Sequence, residues 1–103
     1  MTTHLTIDIE PAISAPKALL YFTALWCGPC KMFGPVIDKF STDNPDILVV
    51  KIDVDEKRDL VGLYGVRGIP TVISLEYGAE VSRHTGQIPA AKLSQMFNFC
   101  TAV

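Results

Sequence analysis

The 103-residue sequence predicts an α/β fold, a mixed central β-sheet flanked by helices. Three observations carry that prediction. Residues 18–26 and 47–54 are nearly continuous apolar runs with the character of buried strands. Helical stripes lie between and after them, and two further strand-like segments meet at a glycine-containing turn. With 49% hydrophobic and 19% charged residues, the chain has apolar material for one core in a single domain, residues 1–103.

In chain order, residues 4–10 alternate Leu5, Ile7 and Ile9 with Thr6, Asp8 and Glu10, the period of two of a short half-buried strand. Pro11 and Pro16 bracket a segment too short for a stable helix, so a turn or a single helical turn is expected there. The run at residues 18–26 ends at a Gly-Pro punctuation and suits a central strand covered on both faces. From Cys30, the residues Phe33, Val36, Ile37 and Phe40 mark a helix to about Asp43, with Pro35 expected to kink it. After the breaker Asn44-Pro45, residues 47–54 read as a second buried strand. Asp55 is placed to cap a short helix over residues 56–64, with Leu60, Leu63 and Tyr64 inward and Gly65 ending it in a left-handed conformation. Residues 71–76 and 80–85 form an antiparallel hairpin around Tyr77-Gly78-Ala79. Pro89 opens a final helix with Leu93, Met96, Phe97 and Cys100 on one face, where Cys100 serves as a small buried hydrophobe.

Charge and cysteine usage narrow the function. Nine Lys plus Arg against eleven Asp plus Glu give a net charge of -2, without the basic excess that nucleic-acid binding requires. The longest uncharged stretch, residues 18–30, is far below the roughly 20 residues that span a bilayer, so no membrane association is expected. The first basic residue, Lys17, follows Asp8 and Glu10, which is unlike a secretion signal and points to a cytoplasmic protein. Three cysteines are too few for a disulfide framework, and in a reducing compartment two close cysteines point to redox or metal chemistry.

Cys27 and Cys30 stand three apart at a strand-to-helix junction. The helix start offers free amides and a favourable dipole, which bias Cys27 toward thiolate. Cys30 lies one turn deeper, close enough to form a disulfide, and is expected to be shielded from solvent reagents while Cys27 is open. Pro29 fixes a helix-compatible φ, and Gly28 has no side chain to block an incoming disulfide. Zinc is the alternative, but a closed site needs four ligands and only His4, His84 and Cys100 remain, none in a paired spacing.

The run Trp26-Cys27-Gly28-Pro29-Cys30-Lys31-Met32, followed by Gly68-Ile69-Pro70-Thr71, resembles the thioredoxin family. The resemblance extends from about Ala18 to the final helix, with Pro35, Lys51, Asp55, Tyr64-Gly65, Gly78 and Gly86 at family-like spacings. It implies a thioredoxin-like fold and a protein-disulfide reductase with Cys27 as nucleophile, Cys30 as resolving cysteine and Pro70 as a cis proline facing their disulfide. It further implies that Trp26, Gly68, Ile69, Pro70, Thr85, Gly86 and Gln87 contact extended target peptides through main-chain pairing. No cofactor is bound on this reading: the redox-active Cys27-Cys30 disulfide receives electrons from NADPH indirectly, through a thioredoxin reductase. The implied partners are that reductase and disulfide-containing target proteins, met by a monomer.

An inactive binding module and a disulfide oxidase or isomerase are the other options on this fold, although Gly28-Pro29 resembles the reducing members. Two features depart from the family. Tyr21 stands where a buried Asp is usual; it is expected beneath the active-site helix near Cys30, and a phenol is neutral near pH 7 and a poor general base. Lys51 matches the partner of that missing Asp and is expected to turn to water or to Asp53. In addition, only 26 residues precede Cys27, so the first helix is expected to be shortened or absent.

Overall fold

The computed structural model describes the backbone of residues 3–97 and the side chains of residues 9–97. Eight elements follow in the order α1 (Thr3–Ser14), β1 (Ala18–Thr23), α2 (Gly28–Asp43), β2 (Leu48–Asp53), α3 (Arg58–Tyr64), β3 (Thr71–Glu76), β4 (Ala79–Thr85) and α4 (Ala90–Gln95). The strands form one mixed sheet in the order β2-β1-β3-β4. β1 runs parallel to β2 and antiparallel to β3, and β3 and β4 form the expected hairpin.

Alternation along β1 divides the core. Leu19 and Tyr21 face α2 and α4, where they meet Phe33, Ile37, Phe40, Leu93, Met96 and Phe97. Leu20 and Phe22 face the other side, against Ile9 and Ala12 of α1 and Leu60 of α3. β1 is therefore covered on both faces, as its unbroken apolar run requires. It stops at Thr23, three residues short of the expected end, because the Cys27 amide turns back to the Ala24 carbonyl.

The N-terminal segment differs from expectation. Residues 4–10 are helical within the 12-residue α1, so the expected first strand is replaced and the first helix is not absent. Leu5, Ile9 and Ala12 also recur at i, i+4 and i+7, a helical spacing that the local alternation concealed. Ile9 and Ala12 are buried, whereas Pro11 lies on the exposed side of the helix. The C-terminal end of α1 is docked on the β3–β4 turn: the Tyr77 amide donates to the Ala15 and Pro16 carbonyl oxygens.

Three smaller corrections follow from position in the sheet and from capping. β2 is an edge strand and is half-exposed rather than buried. α3 begins at Arg58 without a side-chain cap; Asp53, not Asp55, serves the turn before it by accepting from the Asp55 and Glu56 amides. On α3, Leu60 is buried, Tyr64 is partly buried and Leu63 is exposed. Gly65 ends the helix in the left-handed region at φ 63°, as expected. In α4, Pro89 is the N-cap and Leu93 is buried, while Cys100 lies outside the described residues. No helix among the described residues is long and apolar enough to cross a membrane.

Candidate active site

Cys27 is the N-cap of α2, with extended backbone at φ -86° and ψ 111°, and Pro29 follows in the first turn. The one-turn spacing brings the two sulfurs together: Cys27 and Cys30 are joined as a disulfide across a Cα–Cα distance of 5.2 Å. The Cys30 amide donates to Cys27 Sγ at 3.2 Å, so one of the free amides of the helix start is aimed at the first sulfur. Exposure does not separate the two cysteines, at 4% for Cys27 and 3% for Cys30; their positions relative to the helix start do. Ala24, Val54 and Ile69 pack around the pair. A Cβ added at Gly28 would meet nothing within 4 Å, so the glycine keeps the approach clear and makes no room for protein atoms.

Trp26 stands beside this turn, 67% exposed, and its indole Nε1 donates to Asp55 Oδ2 at 2.6 Å. Asp55 thus holds the indole and does not cap a helix. Trp26, Val54, Val61, Val66, Arg67, Gly68 and Ile69 line a mainly apolar groove of about 190 Å³. Its far wall leads into the Ile69-Pro70 peptide, which is cis, as the resemblance implies. The Gly86 amide donates to the Pro70 carbonyl at 2.7 Å, which brings the segment after β4 alongside the proline loop. Thr85 and Gln87 are exposed there.

Tyr21 lies where expected. It is buried, its hydroxyl donates to the Cys30 carbonyl at 3.0 Å, and its ring meets Phe33 edge-on at 5.6 Å between centroids. Lys51, directly across the strand pair from Tyr21, does not turn to Asp53. Its Nζ lies 2.5 Å from Asp38 Oδ1 on α2. With a phenol on the neighbouring strand and Asp53 engaged by two backbone amides, Asp38 offers the carboxylate within reach. Asp38 was missed from the sequence, as was the role of Asp55. Each partnership joins residues far apart in the chain and leaves no local signal. Among the described residues, no cluster of His, Cys, Asp and Glu could hold a metal ion.

The thioredoxin family model matches residues 6–98. The thioredoxin of Mycoplasma genitalium is 35% identical over 92 residues, covering 88% of this chain and 90% of that protein. The thioredoxin of Bacillus subtilis is 44% identical over 78 residues, 75% of each chain. Among solved structures, a mutant thioredoxin from Halobacterium salinarum superposes with a TM-score of 0.79 at 36% identity, covering 87% of this chain and 78% of that one. Oxidised mitochondrial thioredoxin 3 from Saccharomyces cerevisiae also gives 0.79, at 32% identity and with 87% and 86% covered. With the cysteine pair, the helix that presents it and the cis proline all inside the matched span, the chain belongs to the thioredoxin family and is a protein-disulfide reductase whose redox group is its own cysteine pair.

Proposed function

We propose that Cys27 is the attacking thiolate and Cys30 the resolving cysteine in the reduction of protein disulfides. The observation that carries this assignment is the Cys30 amide directed at Cys27 Sγ, because a donor already in place stabilises negative charge on that sulfur. In the reduced protein, the Cys27 thiolate attacks one sulfur of a target disulfide, forms the mixed disulfide and expels the other target sulfur as a thiolate. Cys30, as its thiolate, then attacks Cys27 Sγ, closes the Cys27-Cys30 disulfide and expels the second target sulfur. Two electrons pass to the target, whose thiolates take up the protons that the two cysteines gave up.

On this reading Trp26 and the groove receive the target's apolar side chains. The backbone at Gly68, Ile69 and Pro70, together with Thr85, Gly86 and Gln87, pairs with an extended segment of the target. Gly28 and Pro29 hold the approach to the disulfide. Tyr21 fixes the backbone at Cys30, and the Cys30 proton passes to water, to the departing Cys27 thiolate or to the Lys51 amine. The oxidised pair is reset by a thioredoxin reductase drawing on NADPH, so the protein serves electron transport and redox homeostasis, as a cytoplasmic monomer in keeping with its cysteine usage.

The assignment is tested by iodoacetamide labelling of the reduced protein below neutral pH, with peptide mass mapping. Label is expected on Cys27; predominant label on Cys30 or Cys100 rejects it. Cys30→Ser is expected to trap targets as mixed disulfides, and Cys27→Ser to trap none. Insulin reduction driven by dithiothreitol separates an enzyme from an inactive binding module, and a coupled assay with NADPH and a thioredoxin reductase tests the recycling step.

A further inference from the structure

Thr71, the first residue of β3, is buried, and its hydroxyl has two oxygen neighbours. It donates to the Gly68 carbonyl at 2.5 Å and lies 3.1 Å from the Thr85 hydroxyl, its register partner at the end of β4. A threonine hydroxyl has one proton, and a carbonyl has none to give. The Thr71 proton is therefore used on Gly68, and Thr85 must be the donor in the second contact. A second observation ties the same residues together: a Cβ at Gly68 would lie 3.4 Å from the Thr85 methyl, so that methyl covers the Gly68 α-carbon. Gly68 is held at its carbonyl by Thr71 and over its α-carbon by Thr85.

We propose that Thr71 and Thr85 form a two-threonine latch that sets the target-docking strip and the polarity of its rim. Thr71 is a positioning residue: it fixes the Gly68 carbonyl, and so the backbone leading into Ile69 and Pro70, against the end of β4. Thr85 is exposed, and with its proton directed inward it presents only acceptor lone pairs outward, beside Gly86 and Gln87. The class of ligand group this rim selects is a main-chain N–H of an extended, disulfide-bearing polypeptide. The proposal rests on the reading that targets dock along residues 68–70 and 85–87.

The test compares reduced wild type, Thr71→Val, Thr71→Ser, Thr85→Val, the double valine variant and Ile69→Asp. Each is assayed on insulin and on 5,5′-dithiobis(2-nitrobenzoate), a disulfide too small to lie along the strip. Thr71→Val is expected to raise KM for insulin about five- to tenfold, the scale of one buried hydrogen bond, while kcat and the rate with the small disulfide hold. Thr71→Ser is expected to restore the KM. Because the two hydroxyls act as one network while Thr85 also supplies the outward acceptor, the double valine variant is expected to be worse than Thr71→Val but to lose less than the sum of the two single variants. Equal loss on both disulfides in Thr71→Val, or valine variants with wild-type KM, overturns the latch. Ile69→Asp separates the two readings: if its KM for insulin is raised while the valine variants are normal, only the latch fails, whereas an unaltered KM in Ile69→Asp rejects docking along the strip itself.

Discussion

The Tyr21 hydroxyl ends on a backbone carbonyl, not on a sulfur, so its contribution is to the placement of Cys30 and to stability. Tyr21→Phe removes that hydrogen bond and is expected to cost about 1 kcal/mol in urea denaturation, with the pH profile of disulfide reduction unchanged. Tyr21→Asp buries a carboxylate under α2 and is expected to add an inflection between about pH 5 and 9 in stopped-flow reduction, through coupling to the cysteines. Superimposable profiles would reject any influence of this position on the thiols. The Trp26–Asp55 bond gives a second prediction, and Trp26, the one tryptophan in the chain, reports on itself. Asp55→Ala is expected to lower the steady-state fluorescence anisotropy of Trp26 and to weaken target binding. The cysteine pair and the place of Tyr21 were legible because motif spacing and strand alternation are local patterns, whereas the cis Pro70 was implied by the family resemblance. The carboxylates engaged by Trp26 and Lys51 were not, because a strand end and a helix face choose their partners only when the chain has folded.

Among the elements, α1 exposes the weakness of a short pattern. Leu5, Ile7 and Ile9 satisfy a strand, Leu5, Ile9 and Ala12 satisfy a helix, and the helix forms with Pro11 on its exposed side. The hairpin tip that receives α1 makes a comparative prediction. Gly65 and Gly78 both have positive φ, at 63° and 84°, but a Cβ at Gly65 meets open space whereas one at Gly78 would lie 2.9 Å from the Ile13 carbonyl oxygen. Gly65→Ala is expected to cost about 1 kcal/mol, and Gly78→Ala distinctly more, since the neighbour that must yield is backbone. Chemical denaturation of the two variants checks the order. On β4, Arg83 grips the Glu80 carboxylate with Nε and Nη2 and also donates to the Tyr64 carbonyl at the end of α3. The Arg83 hydrogen bonds hold the Glu80 carboxyl below its usual range. A lowered folded-state pKa stabilises above the ordinary glutamate range, and that stability is lost as pH falls through the lowered value. The melting-temperature advantage of wild type over Glu80→Gln is therefore expected to shrink between about pH 6 and 3; as the pair is solvent-exposed, it is worth no more than about 1 kcal/mol at the outset.

For the whole molecule, the fold class could be read because apolar runs and helical stripes follow one another in an order that few sheets accommodate. What could not be read was the rank of each strand within the sheet. Residues 47–54 look like a central strand, yet β2 forms an edge, since the segment expected to be a first strand is the helix α1. Lys51 and Asp53 are the charges along that edge, among Leu48, Val49, Val50 and Ile52. Lys51→Val is expected to drive self-association, read by sedimentation equilibrium as a mass that rises with concentration above that of one chain. The contact between α1 and the hairpin tip also decides where this scaffold tolerates added sequence. Hairpin tips are ordinarily favoured sites for grafted peptides and new chain termini. Here the Tyr77 amide is bonded to the end of α1 and Gly78 lies against Ile13, so a graft at that tip would displace the helix from the sheet. The turn at Pro45 and Asp46 is exposed, and among the described residues neither of the two is hydrogen-bonded to another element. An affinity tag or a permuted terminus belongs there, between Pro45 and Asp46.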